Sequence, residues 1–193
     1  MLIALGGLSG VGKSTLAALL ARRIGAVDLR IDTIEQAMRN VGCMVSGPEG
    51  YVAGRVLAED NLRLGHTVIV DSVNLLAITR DYWREIAARL TGRLVEIELV
   101  CSDEHQYRQR VEWRISNISG LELPTWQQVL DRPYEPWPSA HAIDTARRAP
   151  EDMLPQVEAI PRNARRDHFG NSPTSTVLMP MSGTLSIMST VSV

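Results

Sequence analysis

Apolar residues along this chain gather in short blocks, and most blocks are followed by a stretch with helical spacing. Leu2, Ile3, Ala4 and Leu5 form a run suited to a buried strand, and Thr15 to Ile24 (TLAALLARRI) has the composition of a helix. Val27 to Ile31 reads as a second strand, and Thr33 to Asn40 as the start of a helical stretch broken by Gly42, Gly47 and Gly50. Tyr51 to Leu64 predicts a helix ended by Gly65, with Val52, Val56 and the Leu57, Ala58 pair as its core-facing stripe. The β-branched run Thr67 to Val70 stops at Asp71, which suits a central parallel strand. Arg80 to Leu90 reads as helix and Arg93 to Val100 contains a strand. Ser102 is placed as the N-cap of a helix running from Asp103 to about Ile118, with Asp103 and Glu104 in its first turn. Pro124, Thr125 and Trp126 start a short helix that ends near Arg132. Pro133 to Pro138 forms an extended connector, and Ala140 to Ile143 supplies a fifth strand.

This alternation predicts an α/β fold: a parallel five-stranded sheet with helices on both faces, in three α/β/α layers, with ligands gathered at the carboxyl ends of the strands. A chain of 193 residues with a 45% hydrophobic share fits one domain. That domain is placed over 1–160, with a helical lid over about 103–132. Beyond it, Arg162, Arg165 and Arg166 form a basic cluster, and Phe169 to Val193 carries no charge and is rich in Ser, Thr and Met. The segment 161–193 therefore reads as a tail, disordered or packed against the domain.

Composition excludes more than it selects. A net charge of −2 gives no global pull towards nucleic acid or membrane, which argues against a long polynucleotide as partner. No stretch is long and apolar enough to span a bilayer, and the opening MLIALGG lacks the basic flank of a signal segment, so it reads as a core strand. Cys43 and Cys101 are isolated, which favours reduced thiols in a cytoplasmic protein. The histidines are scattered without metal-ligand spacing.

The chemistry starts at Gly7 to Ser14, which read G-x-x-x-x-G-K-S between a predicted strand and a predicted helix. In such a loop Gly7, Gly10 and Gly12 let the backbone N–H groups of Ser9, Val11 and their neighbours converge on a polyphosphate, and the helix N-terminus at Ser14 and Thr15 adds partial positive charge. Lys13 is placed to reach the outer phosphates, and the Ser14 hydroxyl to ligate Mg²⁺. The expected ligand is a nucleoside triphosphate with magnesium. No N-K-x-D segment for reading guanine is present, which favours ATP.

Three aspartates are expected on the same edge of the sheet, since Asp32, Asp71 and Asp144 each follow a predicted strand. Asp71 reads as a carboxylate near Mg²⁺ or the acceptor, or as a turn cap. Asp32 reads as the group that takes a proton from an acceptor hydroxyl, or as the N-cap of the helix at Thr33. Asp144 reads chiefly as a residue that shapes a loop. In the helix from Asp103, Arg110 and Arg114 stand four residues apart on one predicted face and make a lid for transferred phosphate. The alternative is a solvated face with Arg108 in surface ion pairs.

The loop GLSGVGKST at Gly7 to Thr15, Arg30-Ile31-Asp32, Val70-Asp71-Ser72-Val73-Asn74 and the arginine-bearing helix leading to Pro124-Thr125-Trp126 together resemble the predicted P-loop kinases. That group is similar to zeta toxins, chloramphenicol phosphotransferase and the kinase domain of polynucleotide kinases, and the resemblance runs from Met1 to about Glu158. It implies that Lys13 and Ser14 bind ATP phosphates and magnesium, and that Asp32 is the general base or acceptor-orienting carboxylate. It further implies that Asp71 and Asn74 line the acceptor site and that Arg110 and Arg114 belong to the lid. Three residues after the aspartate, where polynucleotide kinases carry an arginine, this chain has Glu35, a departure that argues against reading a 5′-hydroxyl end. The expected activity is transfer of the γ-phosphoryl group of Mg-ATP to a hydroxyl of a small molecule. A nucleotide-binding regulatory ATPase and a toxin-type, antibiotic or polynucleotide kinase remain as alternatives.

Overall fold

The structure is a computed structural model and describes residues 1–163, with side chains for 1–160. It runs β1 (Leu2–Gly6), α1 (Lys13–Ile24), β2 (Val27–Arg30), α2 (Ile31–Asn40), α3 (Glu49–Arg63), β3 (Val68–Asp71), α4 (Ala77–Leu90), β4 (Leu94–Val100), α5 (Glu104–Trp113), α6 (Trp126–Leu130), β5 (His141–Asp144) and α7 (Pro150–Asn163). The rest of the segment read as a tail lies outside the described residues. No helix among the described residues is long and apolar enough to cross a membrane.

The expected parallel five-stranded sheet is present, in the order β2-β3-β1-β4-β5. β1 and β3 are buried along their whole length, as continuous apolar runs covered on both faces must be. The two-residue alternation of a strand sorts β1 between two cores. Ile3 and Leu5 join Leu16, Leu20, Val111 and Val157 on the side of α1, α5 and α7. Leu2 and Ala4 join Val68, Val70, Trp83 and Ile86 on the side of α3 and α4. Register then brings Leu5 and Arg30 level with Asp71, so the ends of β1, β2 and β3 meet where the glycine loop begins.

Three local expectations are corrected. On α3 most of the predicted stripe faces outward, with Val52 and Val56 each 55% exposed and Leu57 43%, and of its members Ala58 is buried. The buried row is Gly50, Gly54, Ala58 and Leu62. Small residues carry the packing because α3 lies close to α2: a Cβ on Gly54 would stand 2.4 Å from Ile31 Cδ1. Hydrophobicity highlights the large side chains, whereas close approach selects the small ones. At α5 the N-cap is Asp103, whose Oδ1 accepts from the Gln106 N–H at 3.1 Å. Ser102 is instead engaged by Asp144, through its hydroxyl and through its N–H at 3.0 Å. Finally, α5 stops at Trp113, and Arg114 is extended. The following Ile-Ser-Asn-Ile-Ser-Gly has little helix propensity, being β-branched or prone to bond its own backbone.

Candidate functional site

The glycine loop connects β1 to α1, and its conformation depends on positive φ at Gly7 (125°), Gly10 (93°) and Gly12 (99°). Gly7 is the most constrained, because a Cβ there would stand 2.3 Å from the Leu99 carbonyl oxygen. Its N–H donates to the Val73 carbonyl at 3.1 Å, which ties the loop base to the segment after β3. Gly7→Ala is therefore expected to lower stability by about 1–3 kcal/mol, as urea denaturation beside the wild type would show. Higher in the loop, the Tyr107 hydroxyl donates to the Ser9 carbonyl at 3.0 Å, and burial pushes that phenol up to about 12. Gly12 offers α1 no side-chain cap, so the first-turn N–H groups point into the open loop.

Above the loop lies a cavity of about 1410 Å³, lined by Ser9, Gly10, Val11, Gly12, Lys13, Ser14 and Thr15 together with Asp32, Asp71, Arg110 and Arg114. Gly7 sits beneath it, buried. Lys13, the first residue of α1, is itself buried, and its Nζ donates to the Leu8 carbonyl at 3.0 Å. Burial lowers its pKa, while Asp71 and Asp32 pull the other way. Asp71 ends β3 at 3% exposure. Burial raises its pKa against the opposing pull of Lys13, the Ser14 hydroxyl beside it, and Arg30.

Arg30 Nε stands 3.6 Å from Asp71 Oδ2, yet both atoms are buried without a hydrogen-bond partner among the described residues. The Ser72 hydroxyl is in the same condition. A buried carboxylate oxygen lacking a donor, next to a serine hydroxyl at the start of α1, fits a hard cation that takes oxygen ligands. Ser14 and Asp71 are thus suited to hold Mg²⁺.

Asp32 is not an N-cap, since Arg30 holds that position and Asp32 lies in the first turn of α2. Its side chain is exposed at the cavity and lies near enough to attract both Lys13 and Arg114. The two lid arginines do not share a helical face. Arg110 is pinned to the end of β5, donating to Thr145 Oγ1 at 2.9 Å and to the Thr145 carbonyl at 3.0 Å. Arg114, beyond the helix end, keeps Nε and Nη2 buried and without a partner among the described residues. Arg108 is an exposed residue paired with Glu112 at 2.8 Å.

Asn74 does not line the cavity. Fully buried at φ 48°, it donates to the Leu5 carbonyl at 2.7 Å and accepts from Trp83 Nε1 at 3.0 Å, fastening the loop after β3 onto β1. Asn tolerates this left-handed backbone, and its amide replaces ladder bonds lost at the strand end. Asp144 likewise shapes a loop, holding Ser102 and the Ala146 N–H outside the main cavity.

Two cavity residues were not assigned from sequence. Arg30 ends β2 beside Asp32, and the strand-end rule that selects the aspartates applies equally to it. Its partner Asn117, which accepts from Arg30 Nη1 at 2.7 Å, lies 87 residues away and has no local signal.

A parallel sheet in this order, with a glycine loop and lysine leading from its central strand into a helix, is the fold of the P-loop kinases. The match to the family described as an AAA domain covers residues 2–136, and the chain belongs to that family. Solved structures with the same fold include the APS kinase CysC of Mycobacterium tuberculosis in complex with AMPPNP and APS. It is 20% identical with a TM-score of 0.63, over 82% of this chain and 95% of that one. A gluconokinase from Sinorhizobium meliloti is 20% identical with a TM-score of 0.58, over 84% and 91%. Kti12 of Chaetomium thermophilum in complex with ADP-AlF3 is 17% identical with a TM-score of 0.61, over 83% and 99%. No curated protein matches the chain.

Proposed function

We propose that this protein is an ATP-dependent phosphotransferase of the cytoplasm that moves the γ-phosphoryl group of Mg-ATP to a hydroxyl of a small molecule. The observation that carries this reading is the convergence of Lys13, Asp32, Asp71 and Arg114 on the one cavity that the glycine loop opens into. Two similar structures are complexes, the APS kinase with AMPPNP and APS and Kti12 with ADP-AlF3.

Each residue has a distinct task. Loop N–H groups and Lys13 hold the phosphates, and the low-dielectric wall around Lys13 strengthens its pull on them. Magnesium held by Ser14 and Asp71 would supply charge neutralisation between the phosphates. Arg114 has two donors without a partner among the described residues, and turns one of them to the charge on the transferred group, leaving the other towards the acceptor. Asp32 orients the acceptor hydroxyl and takes its proton. The lid segment after α5 crosses to α2 and excludes water, so transfer goes to the acceptor and not to solvent.

Asp32→Asn preserves shape while removing the proton acceptor. It should reduce acceptor-dependent ADP formation about 10²-fold with little change in nucleotide affinity. Turnover at the wild-type rate in this variant would remove Asp32 from the mechanism.

A further inference from the structure

Two arginines in the cavity wall carry more donor capacity than the protein uses. Arg30 Nε, Arg114 Nε and Arg114 Nη2 are all buried without a hydrogen-bond partner among the described residues. Both arginines line the same cavity, where burial first and then Arg30 disfavour the charge on Arg114 while Asp32 favours it. Holding like charges together with unpaired donors is costly unless an anion is to be shared between them.

None of the acids lining the cavity, Glu122 and Glu151 included, hydrogen-bonds these three atoms among the described residues. Glu35 is engaged by Arg39 at 3.0 Å. Asp71 does not close a hydrogen bond with Arg30 and is suited to the metal. Asp32 faces the cavity and is the proton acceptor of the proposed reaction. Asn117 fixes one arm of the Arg30 fork at 2.7 Å, which aims the guanidinium while leaving Nε free to donate.

Position places the anion on the acceptor. β2 is the edge strand, separated from β1 and its phosphate loop by β3. Arg30 ends that strand, and Asp32 follows two residues later. The cation and the proton-accepting carboxylate therefore share the end of the cavity away from the nucleotide helix. The lid segment also reaches over this end. Asn117 bonds Arg30, and Gly120 passes so near α2 that a Cβ would stand 3.0 Å from Gln36 Nε2.

Resting on the phosphotransferase reading, we infer that the acceptor is a small hydroxylated acid whose carboxylate, phosphate or sulfate group sits between Arg30 and Arg114 while its hydroxyl meets Asp32. In the reaction the acceptor oxygen forms a bond to the γ-phosphorus as the bond to the β,γ-bridging oxygen breaks. The electron pair of that bond leaves with ADP, and the hydroxyl proton passes to Asp32.

The decisive measurement fills the nucleotide site and asks whether an anion site remains. Protein loaded with Mg²⁺ and AMPPNP is titrated with sulfate by calorimetry, for wild type, Arg30→Gln and Arg30→Lys. One saturable sulfate is expected, weakened about tenfold or more in Arg30→Gln and partly recovered in Arg30→Lys. No sulfate binding, or binding equal in wild type and Arg30→Gln, overturns the inference. A kinetic arm compares gluconate with glucitol and glycerate with glycerol, to separate the source of the anion from the need for one. A KM that rises more for the acid than for the alcohol in Arg30→Gln, and is partly restored in Arg30→Lys, supports the inference. Equal use of acids and alcohols by the wild type overturns it and leaves the phosphotransferase reading standing. Arg30-dependent sulfate binding in a protein that transfers phosphate to nothing would instead leave the anion site and sink that reading.

Discussion

Replacing Lys13 by alanine is expected to slow phosphoryl transfer about 10³-fold, measured as ADP formation with an acceptor that the wild type uses. The ammonium is the first residue of α1, buried beneath the cavity, and it faces two carboxylates as well as the loop. Losing it removes both the cation for the outer phosphates and a charge that favours the Asp71 carboxylate. Burial already raises the pKa of Asp71, and Lys13 is the strongest force opposing that rise. In Lys13→Ala the Asp71 pKa climbs further, so magnesium-dependent residual activity should shift to higher pH. The linkage to stability has a definite sign. A carboxyl whose folded pKa lies above its unfolded value favours the fold at low pH, and that contribution is lost as pH rises through the folded pKa. The variant should therefore lose more stability than the wild type between acid and neutral pH. An unchanged ADP rate in a folded Lys13→Ala protein would refute the assignment.

Arg80→Ala should be the most destabilising single change outside the glycine loop, costing about 3–5 kcal/mol in denaturant unfolding. Arg80 is 2% exposed, and its hydrogen-bond partners among the described residues are all carbonyls. Its guanidinium donates to four carbonyls: Asn74 at 2.9 Å, Pro136 at 2.7 Å, Leu75 at 3.0 Å and Glu135 at 2.6 Å. It also stacks 4.8 Å from the Trp137 ring and 5.3 Å from that of Tyr134. One side chain thus joins the segment after β3 to the proline-rich connector. Truncation leaves buried carbonyls unpaired and opens a cavity between two aromatic rings. Because Asn74 fastens the same loop that carries Asp71 and Ser72, catalysis should fall along with stability. Arg80→Lys, which keeps the charge but not the fork, should recover only part of the loss. A denaturation midpoint within experimental error of the wild type would show that the connector is held by other contacts.

What could be read from the sequence was local. β1, the glycine loop and α1 are contiguous, so the phosphate site appears within fourteen residues as a strand, a turn and a helix start. β3 was equally plain, because a β-branched run ending in aspartate has few other uses in an α/β sheet. The buried face of α3 was not, since Gly50, Gly54 and Ala58 contribute closeness rather than hydrophobicity. The end of α5 was overrun because the arginine spacing suggested a continuous face, while the weak helix formers after Trp113 were given less weight. Asn74 was assigned from resemblance to the acceptor site, but its tertiary partners Leu5, Trp83 and Arg80 place it in the frame beneath. The joining of Arg30 to Asn117 arises only when the chain folds back across 87 residues.

The bond from Lys13 to the Leu8 carbonyl bears on how the site fills. The ammonium gives one of its three donors to a neutral oxygen of the same turn, so the turn keeps its arch by gripping its own cation. A phosphate in the loop competes with that carbonyl for the ammonium. A hydrogen bond to an anionic acceptor is about twice as strong as one to a neutral acceptor, so the balance moves towards the phosphate. Occupancy should consequently loosen the carbonyl side of the loop at Leu8 while it tightens the amide side. Hydrogen exchange in this segment would then report nucleotide arrival as opposite changes at residues only a few positions apart.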